Sequence, residues 1–236
     1  MKKATFVIYT ICIHIVLVSV LVKPDLVHTA TYKLGIYPAP LHYERLLAGH
    51  LLKNSRIQDG DIVFLGDSIM EKTDISQITS KGHNLGISMD WTGGLSDRIP
   101  LYRTLDRASL LMVHIGVNDL SLRKGGVTDC FSRYEKMLDL LPKNIPVVLN
   151  SVLPLGEAKE HSQVDNEKIE RFNQLIKQYA DNRANYYYLD IARHMKNKNG
   201  ALKDEYYIHD YIHLNQQGYV AFIQAIKTFL NQNRLL

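Results

Sequence analysis

The chain has 236 residues, 46% of them hydrophobic, and a formal net charge of +4. That is enough apolar material for one substantial core. The lysines and arginines are spread along the chain, with no long basic block and no interleaved aromatic platform, so nucleic-acid binding is not indicated. Two cysteines, Cys12 in an apolar stretch and Cys130 alone in the globular part, leave no internal disulfide there, and no Cys/His cluster has metal spacing.

The chain opens on Lys2-Lys3 followed by the uncharged run Ala4–Val22, which ends at Lys23-Pro24. As a helix, nineteen residues rising 1.5 Å each span ~28 Å, about the hydrocarbon thickness of a bilayer. Cleaved signal peptides have shorter apolar regions and a small-x-small site, and the best site here, His28-Thr29-Ala30, is poor. Residues 1–23 are therefore expected to be an uncleaved signal anchor. The lysine pair would lie in the cytoplasm and the rest of the protein outside it, on the cytoplasmic membrane. A secreted or periplasmic form after signal cleavage is the alternative. Residues 24–59 read as a linker, broken at Pro38-Ala39-Pro40, and an amphipathic leading helix near Tyr43–Asn54.

From residue 60 to 236, apolar runs alternate with helical patterns. Strands are expected at Asp61–Leu65, Asn84–Ile87, Leu110–Ile115, Pro146–Leu153 and Tyr186–Ile191. Helices are expected near Met70–Gln77, Gly94–Thr104, Thr128–Leu141, Val164–Ala180 and Gln216–Asn231. Nearly continuous apolar strands alternating with helices predict an α/β fold: a three-layer, doubly wound, flavodoxin-like parallel sheet with helices on both faces.

Polar turns follow three of these strands. Gly66-Asp67-Ser68 follows the first, Gly86-Ile87-Ser88-Met89-Asp90 closes the second, and Gly116-Val117-Asn118-Asp119 follows the third. In such a sheet the segments leaving the carboxyl ends of the strands converge on one crevice. Near the C-terminus Asp210 and His213 form an Asp-x-x-His pair, the relation in which a carboxylate orients an imidazole and stabilises its charged form. A serine at a strand end, an oriented base and converging amide donors are what acyl transfer requires.

These four segments, in this order, resemble the SGNH (GDSL-type) hydrolase superfamily, above all its bacterial esterases and thioesterases and the catalytic subunits of platelet-activating-factor acetylhydrolase. The resemblance spans roughly residues 60–230. It implies a serine hydrolase for carboxylic esters, with Ser68 as nucleophile, His213 as general base and acid, and Asp210 orienting His213. It implies an oxyanion hole of the Ser68 amide, a second-block amide at Met89 and the Asn118 side chain. The family usually has glycine where this chain has Met89, a residue whose Cβ disfavours positive φ. No metal or organic cofactor is implied. The substrate would be a small-molecule, lipid or glycan ester, short-chain or acetyl, and the sequence names no substrate-binding residue. The alternatives are an O-acyltransferase acting on envelope glycans and a non-catalytic glycan- or lipid-binding module.

Several other residues have plainer readings. His114, inside an apolar strand, is expected to be a core histidine; Trp91 either lines an acyl pocket or packs on the neighbouring helix. His209 lacks the Asp-x-x-His relation. Asp67 and Asp119 are expected to shape their turns, Tyr186-Tyr187-Tyr188 to pack in a strand, and Cys130 to be a surface or half-buried thiol.

Overall fold

The computed structural model describes His14 and residues 41–122, 125–157 and 165–236. Apart from His14, the expected signal anchor lies outside the described residues, as do the Pro38-Ala39-Pro40 break and Val164. Among the described residues no helix is long and apolar enough to cross a membrane. The chain divides into two units, Met1–Glu44 and Arg45–Leu236. Of the first, only His14 and residues 41–44 are described, the latter as the start of helix α1 (Leu41–Asn54).

The second unit is built on five parallel strands: β1 (Ile62–Gly66), β2 (Gly82–Gly86), β3 (Leu110–His114), β4 (Val147–Asn150) and β5 (Tyr186–Leu189). Their order is β2-β1-β3-β4-β5, so each connection crosses a sheet face, and helices lie between them. These are α2 (Ser68–Glu71), α3 (Thr92–Arg98), α4 (Val117–Leu122), α5 (Val127–Asp139) and α6 (Asn166–Asp181); α7 (Ile191–Met195) and α8 (Gln216–Gln232) follow β5.

Side-chain alternation along the strands separates two cores. Val63, Leu65, Leu111, Val113, Val147 and Leu149 face one core, with Leu95 of α3, Tyr134 and Met137 of α5 and Phe172 and Ile176 of α6. Ile62, Phe64, Leu110, Met112 and Val148 face the other, with Met70 of α2, Met195 of α7 and Phe222 and Ile226 of α8. The molecule is thus the expected three-layer α/β fold. Each fully buried side chain of this size contributes about 1.5–3 kcal/mol of burial. The tyrosine run follows the same alternation: Tyr186 and Tyr188 pack on the first core, Tyr187 on the second.

Two expected helices are interrupted. Met70–Gln77 is the short α2 and a separate 3-10 turn, Ile75–Gln77. The Asn84 side-chain amide draws the carbonyls of Met70, Glu71 and Thr73 toward β2, and Asp74 caps a new turn at the Ser76 amide. Gly94–Thr104 becomes α3 and a 3-10 turn, Ile99–Leu101, because Pro100 has no amide to continue the α-helical ladder; a second 3-10 turn, Leu105–Arg107, follows beyond it. Cys130 is also corrected. It is buried, since it falls on the inward stripe Val127–Cys130–Tyr134–Met137 of α5, and burial raises its thiol pKa.

Candidate active site

The carboxyl ends of β1, β2 and β3 bring the three turns together. Asp67 caps α2 by accepting the Ile69 amide at 3.0 Å, which makes Ser68 the first residue of that helix, 6% exposed. The second turn is tied to the first by the Ile87 amide, which donates to the Gly66 carbonyl at 3.0 Å. It is tied again by the Ser88 amide, which donates to the Glu71 carboxylate. Gly86 permits this approach: a Cβ there would sit 2.4 Å from the Glu71 nitrogen. The third turn joins through Asn118, whose side-chain amide donates to the Asp90 carbonyl at 2.8 Å.

Asp210 and His213 come from the loop before α8. The Asp210 Oδ1 atom accepts the amides of Ile212 at 3.0 Å and His213 at 2.9 Å, folding the loop back on itself. Its Oδ2 atom lies 2.6 Å from His213 Nδ1, and His213 Nε2 lies 2.9 Å from Ser68 Oγ. Burial by itself would raise the Asp210 carboxyl, but the amides of His213 and Ile212 and the His213 ring outweigh it and hold the pKa below its usual value. An ionised Asp210 fixes the proton on Nδ1, so Nε2 is the acceptor facing the serine hydroxyl. The three residues singled out from the sequence thus form one hydrogen-bonded relay across 145 positions of chain.

Met89 has φ 66°, the left-handed region that its Cβ disfavours, and its side chain is 39% exposed. Within the same turn Gly86 donates to Asn84 Oδ1, Ile87 to Gly66, Ser88 to Glu71 and Asp90 to Ile87. Trp91 lies with its ring against Gly93 in the first turn of α3, the helix-packing alternative. His114 is a core residue: buried, edge-on to Phe222 at 5.2 Å, and lowered by burial to a pKa of about 4. His209 is exposed. Asp119 is buried and accepts both the Thr92 amide, at 3.0 Å, and the Thr92 hydroxyl, so it fixes the start of α3.

Arg98 is the residue that the sequence reading missed. It is 1% exposed beneath the crevice, and its guanidinium donates to Asp90 Oδ2 (2.8 Å), the Leu85 carbonyl (2.6 Å), the Tyr102 hydroxyl (2.9 Å) and the Gly66 carbonyl (3.1 Å). Burial raises the Asp90 pKa, and Arg98 opposes that rise. A signal was present: Leu95, Arg98, Ile99 and Tyr102 form an i, i+3, i+4, i+7 stripe, and a charge in such a stripe is buried with partners. Among the described residues no group of three or more His, Cys, Asp or Glu side chains is placed to hold a metal ion.

The profile of the GDSL-like lipase/acylhydrolase family matches residues 64–221, well over half of the chain and inclusive of all four turns. The chain belongs to that family. Among solved structures, it is similar to a Streptococcus pneumonia protein provisionally described as a platelet activating factor. The two share 26% identity, with a TM-score of 0.72 over 80% of this chain and 92% of that one. A GDSL-like lipase from Bacteroides thetaiotaomicron shares 22% identity, with a TM-score of 0.66 over 79% of this chain and 98% of that one. A carbohydrate esterase of Talaromyces cellulolyticus shares 16%, with a TM-score of 0.60 over 73% of this chain and 97% of that one. The last two are likenesses of fold. A comparison with curated proteins finds no match.

Proposed function

We propose that the protein hydrolyses carboxylic esters of short acyl groups through an acyl-enzyme on Ser68. The observation that carries this reading is the relay Ser68 Oγ–His213 Nε2 (2.9 Å) and His213 Nδ1–Asp210 Oδ2 (2.6 Å). His213 takes the serine proton as Oγ attacks the carbonyl carbon, and Asp210 stabilises the imidazolium. Collapse of the tetrahedral intermediate breaks the bond to the leaving oxygen, which receives that proton from His213. A water then attacks the acyl-enzyme with His213 again as base, releasing the acid and restoring the serine.

The developing oxyanion meets the Ser68 amide, the Met89 amide and Asn118 in this reading. An Asn side chain has two N–H groups, and one of them serves the Asp90 carbonyl. Met89 is the second-turn donor in this reading because it holds the position immediately before Asp90 where the family usually has glycine, and its φ of 66° is the left-handed conformation that glycine favours. Hydrolysis of p-nitrophenyl esters across acyl chain lengths, beside a Ser68→Ala control, tests the reading. Activity that survives in a folded Ser68→Ala protein refutes it.

The reading extends to location: Lys2-Lys3 before Ala4–Val22 supports an anchor in the cytoplasmic membrane with the catalytic domain outside. Membrane-bound protein accessible to externally added protease is expected. A soluble mature form beginning near Thr31 would show a cleaved signal instead.

A further inference from the structure

The loop that carries Asp210 and His213 also holds an aromatic pair that the proton relay does not require. The rings of Tyr207 and Tyr211 have centroids 5.4 Å apart and are inclined by 42°. Tyr211 is 40% exposed and has φ 64°, a left-handed backbone that the Cβ of a bulky residue disfavours. The pair is held from several directions. The Tyr207 hydroxyl donates to Asp204 Oδ1 at 2.8 Å. The Tyr207 ring covers Gly156 so closely that a Cβ there would come within 2.6 Å of it. The Gly156 amide donates to the Tyr211 carbonyl at 2.8 Å. The Ile208 amide donates to the His213 carbonyl at 2.9 Å and Tyr207 bridges Leu214, so the pair is built into the same closed loop as the imidazole. Ile208 and Ile212 add exposed apolar surface to that loop.

Backbone strain that the surroundings over-determine, next to a catalytic group, points to a use. The chemistry indicates which one. The imidazole that takes the serine proton must hand it to the leaving oxygen. The alcohol half of the ester therefore passes on the His213 side, while the carbonyl oxygen faces the amide donors. We infer that Tyr207 and Tyr211 form the subsite for the leaving alcohol, and that this subsite selects alcohols carrying a ring face, aryl or pyranosyl. Such a face stacks on an aromatic surface and buries area without requiring a charge. This inference rests on the ester-hydrolase reading above.

The test keeps the acyl group fixed and varies the alcohol: ethyl acetate, phenyl acetate and a mono-O-acetylated methyl pyranoside, with full-length protein. In Tyr211→Ala, the ratio of kcat/KM for at least one ring-bearing acetate to that for ethyl acetate should fall about tenfold, mostly through KM. Tyr211→Phe should keep the ratio. Tyr211→Gly, which relieves the backbone strain, should lose it while matching or exceeding the wild-type thermal midpoint. The phenyl and pyranoside arms separate the two sources of a ring. Equal losses on all three acetates, or none on any, overturn the subsite and leave the hydrolase reading standing. A wild-type protein that cleaves no ester and takes no fluorophosphonate label overturns both.

Discussion

The Arg98 guanidinium donates to the carbonyl of Gly66 at 3.1 Å, two residues before Ser68, while the same group binds the Asp90 carboxylate of the second turn. One buried cation therefore fixes the spacing of the two loops that would frame an ester carbonyl. Arg98→Met leaves the Asp90 charge buried without its partner, and breaking a pair in this way costs about 3–5 kcal/mol. Denaturant unfolding should show that loss, and Arg98→Met/Asp90→Asn should recover part of it. Additive losses would show that the two side chains are uncoupled.

Ser68→Ala should abolish ester hydrolysis and fluorophosphonate labelling, and His213→Ala should be comparably damaging. Asp210→Ala should retain more activity, since it removes orientation and charge stabilisation but not the base itself. Rates for the three folded variants on one p-nitrophenyl ester decide the order.

Met89→Gly keeps the backbone amide and removes the Cβ from a left-handed residue, so it should stabilise the fold by about 1 kcal/mol. Hydrolysis should stay within about tenfold. Asn118→Ala removes a side-chain donor and should lower kcat on the order of a hundredfold. A near-normal kcat for Asn118→Ala would place the oxyanion elsewhere.

Three buried groups set opposing pH dependences of stability. Burial, with Arg98 and Lys53 adding to it, lowers His50 from 6.5 to about 3, and burial lowers His114 to about 4. Below pH 6.5 the unfolded chain takes up protons that the fold excludes, so this part of the stability is lost as the pH falls. Asp67 runs the other way. Burial, opposed by the Ile69 amide and reinforced by Asp90 and Asp119, raises it from 3.8 to about 7. Its contribution is present in acid and is lost as the pH rises toward 7. The measurement is the thermal midpoint at pH 5 minus that at pH 7. His114→Gln should shift this difference upward and Asp67→Asn downward, each by about 4 °C. No shift in either variant would show that neither group is perturbed.

The layered fold was legible because burial on both faces demands apolar strands, and runs such as Ile62–Leu65 and Leu110–Val113 meet that demand locally. The candidate residues Ser68, Asn118, Asp210 and His213 were legible because each sits in a short turn with its own residue pattern. The two broken helices were less so: Pro100 is a local stop, but the end of α2 depends on Asn84, eleven or more residues downstream.

By itself, then, the sequence determined which segments are strands, which turns carry polar chemistry, and that Asp210 and His213 stand one turn apart. Only the tertiary structure decided that His213 reaches Ser68 at 2.9 Å, that Arg98 is the buried cation joining two loops, and that Met89 and Tyr211 are held left-handed. The physical reason is range. Periodicity and turn chemistry act over a few residues. Ion pairing in a dry interior and backbone strain are fixed by packing between segments far apart in the chain, where one element's preference yields to what several others impose.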